Sequence, residues 1–265
     1  MTRQIAALAV TELLNLEGQR ALVTGASGNI GHGIAVRLAE AGADIIVHYL
    51  NDADGAAVTV HAIKATGRDA VSVQADLTRA EEVARMFTGI DATGPSPGCV
   101  VNNAGGYPVQ PFAEISAVEW QQVVAVNLDS AVYVSQEAIR RMCDQEGGGA
   151  IVNIASIEGT DPAMGHSHYA TSKAGLLMLT RSLTLEYGRN GIRTNAVSPG
   201  LIDREGIGEN WPEGVARWQE NVPLQRMGLS TDIADAVLFL LSPASRWISG
   251  INLVVDGGMS TVSRW

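Results

Sequence analysis

The sequence predicts a single α/β domain with a doubly wound, seven-stranded parallel sheet flanked by helices, and three observations support this fold class. Hydrophobic residues make up 46% of the 265-residue chain and charged residues 17%, which is enough apolar material for a packed core. Glycine is abundant, at 29 residues, and suits tight turns between strands and helices. Short apolar runs alternate with amphipathic runs of helix length, which is typical of strands covered on both faces.

The predicted elements follow one another along the whole chain. We predict strands at Ala21–Thr24, Asp44–Tyr49, Ala70–Gln74, Cys99–Asn102, Ala150–Ala155, Arg193–Val197 and Asn252–Val255. We predict helices at Ile30–Ala41, Ala53–Ala65, Ala80–Ile90, Ala117–Met142, His168–Tyr187 and Thr231–Leu241. These elements leave no room for a second domain in a chain of this length.

Two segments depart from this alternation. Residues 1–15 precede the first strand, and we expect an N-terminal appendage with a short surface helix, followed by one domain over residues 16–265. Leu201–Pro223 reads as a long irregular segment. Loops of this length inside a compact domain are usually lids or binding loops, so we expect it to be the substrate loop.

The overall charge and the cysteine count exclude several classes of protein. The formal net charge of −10 disfavours binding to nucleic acid and to anionic membranes. Cys99 and Cys143 are too few for a disulfide framework and are expected to be reduced thiols. No metal site is predicted, because no set of carboxylates or thiols completes one around His166 and His168. No apolar stretch spans a membrane and Met1–Leu14 is a poor signal peptide, so we expect a cytoplasmic protein.

A glycine-rich turn follows the first strand and opens a helix. Its sequence is Thr24-Gly25-Ala26-Ser27-Gly28-Asn29-Ile30-Gly31. Such a turn lets a pyrophosphate approach the backbone closely, and the helix N-terminus presents free N–H groups to the anion. The alternative is a glycine-rich turn without a ligand. We expect this segment to bind a dinucleotide through Gly25, Ser27, Gly28, Asn29, Ile30 and Gly31.

The sequence Tyr169-Ala170-Thr171-Ser172-Lys173 begins a long predicted helix. Residues four apart share a helix face, so the Tyr169 phenol and the Lys173 ammonium are expected to lie side by side. A nearby cation favours the phenolate, so we expect a lowered pKa for Tyr169 and a role for its hydroxyl in proton transfer.

Further motifs occur in the same order as in a known family. They are Asp76-Leu77 after the third strand, Asn102-Asn103-Ala104-Gly105 after the fourth, Asn127 within a helix, Ser156 before Tyr169, and Asn195-Ala196-Val197-Ser198-Pro199-Gly200 after the sixth strand. With the glycine turn and the Tyr–Lys pair, this pattern resembles the short-chain dehydrogenase/reductase family in its branch of shorter chains. The resemblance runs from Leu16 to Ser260 and includes Val254–Gly258.

The resemblance implies a catalytic set of Asn127, Ser156, Tyr169 and Lys173. Tyr169 would give a proton to a carbonyl oxygen while a hydride arrives from the nicotinamide, and Ser156 would orient the same oxygen. Lys173 would lower the Tyr169 pKa and bind the nicotinamide ribose, and Asn127 would hold a relay water. The structural alternatives are a strand-end cap for Ser156, a helix kink at Asn127 and a surface charge for Lys173.

The resemblance also implies a nicotinamide cofactor, held by the glycine turn and by residues at the strand ends. Besides Tyr169 and Lys173, the expected contacts are Tyr49, Asn51, Asp76, Leu77, Asn103, Ala104, Gly105, Pro199, Gly200 and Ile202. Asp76 would bind the adenine, or it would only cap the following helix. No acid stands at Tyr49, where enzymes that use NAD usually carry one, so NADP(H) is favoured and NAD(H) is the alternative. His48, Asn51, Ser27 and the backbone are candidates to hold a 2′-phosphate.

Two positions depart from the family pattern. Asn29 replaces the usual middle glycine of the turn, and Asn tolerates left-handed backbone geometry better than most residues. Leu201-Ile202-Asp203-Arg204 replaces a stretch where the family often has a Thr near the nicotinamide carboxamide. Recognition of the carboxamide is therefore in question.

The expected substrate is a ketone or the matching secondary alcohol. We expect it to contact Ser156, Tyr169, Glu158, Met164, Trp211 and Trp218, and candidate surfaces include Gly106–Val109. The overall run of the chain resembles reductases of polycyclic aromatic polyketides such as the angucyclines. The alternatives are a 3-oxoacyl-carrier-protein reductase, an NAD-dependent alcohol or sugar dehydrogenase, and a non-catalytic NAD(P)-binding regulator. The resemblance further implies a homotetramer or homodimer, with contacts through Ala117–Met142, His168–Tyr187, the last strand and Trp265.

Overall fold

Seven parallel strands form one sheet, and the computed structural model describes residues 8–262 of the chain. The strands are β1 (Arg20–Val23), β2 (Asp44–Tyr49), β3 (Ala70–Gln74), β4 (Cys99–Asn102), β5 (Gly149–Ile154), β6 (Ile192–Pro199) and β7 (Asn252–Val255). Their order in the sheet is β3-β2-β1-β4-β5-β6-β7. The predicted doubly wound, Rossmann-type fold is confirmed.

Helices cover both faces of the sheet. They are α1 (Asn29–Glu40), α2 (Ala53–Ala65), α3 (Ala80–Asp91), α4 (Ala117–Val124), α5 (Ser130–Met142), α6 (Ser167–Tyr187), α7 (Ile207–Asn210), α8 (Pro212–Asn221) and α9 (Ser230–Leu241). One core cluster, which includes Ile34, Leu38 and Val237, packs α1 and α9 on one face. The other, which includes Phe87, Val134 and Met142, packs α3 and α5 on the opposite face. The strands are therefore buried on both sides, which explains why they read as continuous apolar runs.

The chain reverses its direction of travel across the sheet between β1 and β4. Ala21 pairs with Ile45 on one side of β1 and with Cys99 of β4 on the other. In open α/β sheets, ligands bind in the crevice at the carboxyl ends of the strands, at this switch point. The glycine turn and the Asn102–Gly105 segment both begin there.

The structure corrects two of the predicted elements. The predicted helix Ala117–Met142 is interrupted by a π-helical turn at Ala125–Asp129, which separates α4 from α5. The segment 201–223 is not irregular, because it contains α7 and α8. Pro212 is the first residue of α8, a position where its missing N–H costs nothing, and this is the signal that could have revealed the helix.

The described part of the N-terminal segment lies against the domain. A 3-10 turn spans Val10–Glu12, and the Leu13 carbonyl accepts a hydrogen bond from Ala244 N at 2.9 Å. Leu16 is 2% exposed and belongs to the core on the α1 side. The predicted surface helix thus appears within residues 8–15 as one short turn, and Met1 and Trp265 fall outside the described residues.

Cys99 and Cys143 are both free thiols. Cys99 is buried in β4, and Cys143 is exposed at the end of α5. Across residues 8–262, the structure contains no helix long and apolar enough to cross a membrane.

Candidate active site

The glycine turn between β1 and α1 has the backbone geometry that a pyrophosphate site needs. Gly25 has a φ of +60°, and a side chain at Gly31 would place a Cβ atom 2.2 Å from the Gly25 carbonyl oxygen. Asn29 adopts a φ of 40°, the left-handed region that Asn tolerates. Gly28 precedes α1, and no side chain caps the helix, so its first N–H groups face the open space around Gly28. These residues fit a bound phosphate.

The ends of β1 and β4 are tied together beside this turn. Asn103 Nδ2 donates to the carbonyl oxygens of Thr24 and Gly25 at 2.9 and 3.1 Å. The backbone N–H groups of Asn103 and Ala104 donate to Thr24 Oγ1 at 2.9 and 3.0 Å. The Asn102–Gly105 segment therefore fixes the shape of the glycine turn as well as lining the crevice.

His48 has a structural role, which corrects its assignment as a candidate for the 2′-phosphate. Its Nδ1 accepts from Gly25 N at 3.1 Å, and its Nε2 donates to the Ala75 carbonyl at 3.0 Å. Because the ring is 2% exposed and both nitrogens are engaged, His48 cannot reach a cofactor. Burial lowers the pKa of His48, so the ring is held in the neutral form that these two bonds require.

Near the expected adenosine position, the Asp52 carboxylate lies beside the glycine turn. It caps α2 by accepting from Gly55 N at 2.9 Å. A Cβ atom built on Gly55 would lie 2.2 Å from Asp52 Oδ2 and 2.4 Å from the Ser27 carbonyl, so the carboxylate adjoins the turn. Tyr49 is half-buried against the core, and Asn51 is exposed.

Asp76 follows β3 and is engaged locally. Its Oδ1 accepts from Thr78 N at 2.9 Å and from Thr78 Oγ1 at 2.7 Å. Arg79 occupies the N-cap position of α3 and no side chain caps the helix there, so Asp76 does not act as its cap. The neighbouring Leu77 is 5% exposed and packs into the core on the α3 side.

Tyr169 and Lys173 lie one turn apart near the start of α6. Lys173 Nζ lies 5.5 Å from the centre of the Tyr169 ring and donates to the Ile154 carbonyl at 2.8 Å. Lys173 is only 4% exposed, so it is not the solvated surface charge that was the alternative. The pair sits against the carboxyl end of β5.

The expected direction of the Tyr169 pKa is wrong for this structure. Burial raises the pKa of Tyr169 to about 12, although its hydrogen bond with Ser156 acts to lower it. Lys173 does not reverse the shift, because its ammonium group bonds to Ile154 and burial lowers its own pKa to about 8. Loss of hydration therefore favours the neutral form of each group, which keeps the Tyr169 phenol protonated, whereas Lys173 still carries its charge at pH 7.

Ser156 lies on the turn that leaves β5. Its hydroxyl accepts from Glu158 N at 3.1 Å and lies close enough to the Tyr169 phenol to act on the pKa of that phenol. The structural alternative for Ser156, a cap at the strand end, is therefore also present, because Ser156 caps the 3-10 turn Ile157–Gly159. The Ser156 hydroxyl thus caps the turn that follows β5 and lies beside the Tyr169 phenol of α6.

Asn127 lies in the π-helical turn and contacts the segment after β4. Its Nδ2 donates to the carbonyls of Gly106 and Val123 at 2.7 and 2.9 Å, and its Oδ1 accepts from Gly106 N at 3.2 Å. A Cβ atom on Gly105 would lie 2.7 Å from Asn127 Oδ1 and 3.5 Å from Lys173 Nζ. Asn127 and Lys173 therefore adjoin each other across Gly105, with one Oδ1 lone pair left over.

The rings of Tyr107 and His166 lie beside the Tyr169 ring, and neither contact with Tyr169 was predicted. The Tyr107 ring lies 5.7 Å from the Tyr169 ring, and the His166 ring lies 6.1 Å from each. His166 Nδ1 bonds to Glu158 Oε2 at 2.8 Å. Arg204 stacks 5.1 Å from the Tyr107 ring centre and donates to its hydroxyl. No single motif carries these contacts, because they join three separate loops.

The predicted apolar pocket of Met164, Trp211 and Trp218 is not formed. Met164 is 96% exposed, and the Trp211 ring covers Gly214 of its own helix. Trp218 packs against Gly200, where an added Cβ atom would lie 2.7 Å from its ring. Trp218 thus packs α8 against the end of β6, which is Pro199. The chain then passes through Gly200 to Ile202, which is buried.

Comparisons with known proteins extend over nearly the whole chain. The family model described as enoyl-(acyl carrier protein) reductase matches residues 25–260. A 3beta-hydroxysteroid dehydrogenase from Eggerthella lenta is 37% identical over 251 residues, covering 93% of this chain and 95% of that protein. A 3-oxoacyl-acyl-carrier-protein reductase from Staphylococcus epidermidis is 36% identical over 239 residues, covering 90% of this chain and 98% of that protein. The solved structure of a short-chain type dehydrogenase/reductase from Mycobacterium marinum has a TM-score of 0.90 at 34% identity, covering 95% and 99% of the two chains.

Proposed function

The chain belongs to the short-chain dehydrogenase/reductase family and is an NAD(P)-dependent oxidoreductase acting on CH–OH and ketone groups, and within that class we propose that it is an NADPH-dependent ketoreductase. The observation that carries the proposal is the joint placement of Ser156, Tyr169, Lys173 and Asn127 beside the glycine turn, at one edge of the sheet. The reaction converts a ketone into a secondary alcohol.

One set of site residues would bind the cofactor, and another would orient the ketone and transfer the proton. The glycine turn and Asn103 would hold the pyrophosphate, and Lys173 would hold the nicotinamide ribose. The bound nicotinamide cofactor supplies the hydride. Ser156 would donate a hydrogen bond to the ketone oxygen and orient it toward Tyr169, since its hydroxyl already meets the phenol.

Tyr169 would donate the proton to the ketone oxygen as negative charge develops there. Its raised pKa keeps the phenol protonated before the reaction, which is the form that a reductase needs. The Lys173 ammonium group would then return a proton to Tyr169 and regain one from solvent through a water near Gly105, which would donate a hydrogen bond to the free Oδ1 lone pair of Asn127.

Replacement of Tyr169 tests this proposal directly. In the Tyr169→Phe variant, kcat is expected to fall by at least about 10²-fold, because the general acid is lost. Cofactor affinity is expected to stay within a few-fold of wild type. Tyr187→Phe is the matched control, since it removes a hydroxyl at the other end of the same helix. Turnover near the wild-type rate in Tyr169→Phe would contradict the mechanism.

The choice of NADPH rests on the absence of an acid at Tyr49. NADH is the second candidate cofactor, and the position of Asp52 favours it. The Asp52 carboxylate adjoins Ser27 across Gly55, where its charge would repel a 2′-phosphate.

Titration with each cofactor, followed by nicotinamide fluorescence, decides between them. If the NADPH proposal is correct, wild type binds NADPH more tightly than NADH. If Asp52 excludes the phosphate, wild type prefers NADH, and Asp52→Asn gains about 10-fold in NADPH affinity while keeping its helix cap. Asp54→Asn, an exposed neighbour in the same turn, is the matched control.

For the substrate, we propose a bulky cyclic ketone of the polycyclic aromatic polyketide type. The support is the group of Tyr107, His166 and Tyr169, whose rings are spaced about 6 Å apart and suit contact with a flat apolar molecule. A screen of polycyclic ketones against 3-oxoacyl thioesters, alcohols and sugars tests it. Faster turnover of thioesters or sugars would replace this substrate class and leave the ketoreductase mechanism in place.

We propose a homodimer or homotetramer. Val118 of α4 and Met178 and Leu185 of α6 are large apolar side chains more than half exposed on the helices expected to form the contacts. Light scattering that gives only a monomer would refute this.

A further inference from the structure

Glu158 and His166 form a polar pair beside the proposed proton donor. His166 Nδ1 lies 2.8 Å from Glu158 Oε2, and the two side chains are 14% and 20% exposed. His166 Nε2 is buried and has no hydrogen-bond partner among residues 8–262. A buried polar atom without a partner is uncommon, and in an enzyme cleft it marks a place where a ligand atom belongs.

The pair sets the hydrogen-bonding character of the ring. An ionised carboxylate only accepts hydrogen bonds, so the bond to Glu158 places the imidazole proton on Nδ1. In the neutral ring, Nε2 is then left as an acceptor. Its complement is a hydroxyl or amine hydrogen, because the oxygen of a second carbonyl would repel the Nε2 lone pair.

The position of His166 ties this acceptor to the reaction. His166 precedes α6 by one residue and lies three residues before Tyr169, and the two ring centres are 6.1 Å apart. Glu158 lies on the turn capped by Ser156. The loop before His166 is held by Gln110 N, which donates to the Gly165 carbonyl at 2.8 Å. The pair thus links the two residues that would hold the ketone oxygen.

The Tyr107 side chain lies beside His166 on the side of the cleft. The Tyr107 ring is 43% exposed and its centre lies 6.1 Å from that of the His166 ring. Within residues 8–262, the Tyr107 hydroxyl has one hydrogen-bond partner, which is Arg204.

We propose that His166 Nε2 accepts a hydrogen bond from a second hydroxyl group of the substrate, placed near the reacting carbon. The preferred substrates are then hydroxyketones, or the corresponding diols in the reverse direction. Glu158 is the positioning residue that fixes the His166 tautomer. This inference rests on the proposed ketoreductase function.

The test compares ketones that differ only in that hydroxyl. The probes are cyclohexanone, 2-hydroxycyclohexanone and 3-hydroxycyclohexanone, and the readout is the ratio of kcat/KM for each hydroxyketone to kcat/KM for cyclohexanone. A wild-type ratio of about 10 is expected for at least one hydroxyketone, as one substrate hydrogen bond would give. In His166→Phe, which keeps a ring and removes Nε2, the ratio is expected to fall to about 1. His61→Phe makes the same change at an exposed position of α2 and is the matched control.

The role of Glu158 has its own readout. In ¹⁵N-labelled protein, the His166 ring nitrogens are expected to report the Nδ1–H tautomer in wild type and in Glu158→Gln, whose amide oxygen also accepts from Nδ1. In Glu158→Leu, the signals are expected to move toward the Nε2–H tautomer, with loss of the hydroxyketone preference. An unchanged tautomer in Glu158→Leu would overturn the positioning role.

The outcomes separate this inference from the proposed function. Reduction of cyclohexanone with no preference for either hydroxyketone would overturn the inference and leave the ketoreductase in place. A preference that survives in His166→Phe would also overturn it. Turnover of none of the three ketones, nor of the polycyclic ketones proposed above, would overturn both.

Discussion

At the scale of single residues, the burial of Lys173 lowers the free energy of unfolding of the protein. Burial lowers the pKa of Lys173 to about 8 from an ordinary value of 10.5. The cost arises because the folded protein solvates the ammonium group less well than water does, and the bond to the Ile154 carbonyl offsets only part of it. Function, rather than stability, is the reason to keep a lysine there.

This burial has a measurable effect on stability. Between pH of about 8 and 9, the unfolded chain holds a proton on Lys173 that the folded protein has released, so stability is expected to rise with pH. Above about pH 9, the ordinary pKa of a thiol, the raised pKa of Cys99 acts in the opposite direction. Tyr169 acts in the same direction as Cys99 only above about pH 10, its ordinary pKa. In Lys173→Met, urea unfolding is expected to show a flatter stability profile from pH 8 to 9. A slope equal to that of wild type would mean that Lys173 is not the group responsible.

The site residues differ in how far the sequence alone could predict them. The glycine turn and the Tyr169–Lys173 pair are local patterns, in which spacing along one element sets the geometry. His48 was misassigned because its partners, Gly25 and Ala75, come from two other segments. The contacts among Tyr107, His166 and Arg204 depend on how separate loops meet. Burial also decides the Tyr169 pKa, and the spacing of residues does not reveal burial.

At the scale of elements, the turn that opens α1 depends on two glycines in different ways. An alanine at Gly31 would force its Cβ atom to 2.2 Å from the Gly25 carbonyl and 2.7 Å from Asn103 Nδ2. At Gly28, no atom lies within 4 Å of an added Cβ atom, and φ is −157°, which any residue adopts.

The two substitutions form a matched pair. Gly31→Ala is expected to weaken cofactor binding by at least about 10-fold and to lower the free energy of unfolding by about 2 kcal/mol, because the turn must shift. Gly28→Ala is expected to stay within about 0.5 kcal/mol of wild type. Urea unfolding compares the stability of the two variants, and fluorescence titration measures cofactor binding in Gly31→Ala only, because Gly28 itself lies in the expected binding turn. Equal losses in the two variants would show that close packing at Gly31 is not the determinant.

At the scale of the whole molecule, Arg193 of β6 joins the last helix to the sheet. Its guanidinium donates to the Leu240 and Leu241 carbonyls at 2.7 and 3.1 Å and to Ser245 Oγ at 2.9 Å. It therefore satisfies carbonyls at the end of α9 that have no partner within the helix. The chain returns from there to β7, the edge strand.

Removal of this guanidinium is expected to destabilise the fold. Arg193→Met should lower the free energy of unfolding by about 2 kcal/mol, because buried carbonyls lose their donor. Arg85→Met is the control, since Arg85 is 70% exposed and lies 3.9 Å from Glu82. Urea unfolding of both variants measures the difference. A loss in Arg193→Met no larger than that in Arg85→Met would contradict this role.

The different exposure of the two cysteines allows unfolding to be followed in the wild-type protein. Cys99 pairs with Ala21 and Ala150 in the middle of the sheet, and burial raises the pKa of its thiol to about 12. An alkylating reagent therefore reaches Cys143 at once and Cys99 only while β4 is detached from its neighbours. The rate at which mass spectrometry detects the second label thus measures how often the centre of the sheet opens. Cofactor bound at the adjacent turn would slow this labelling.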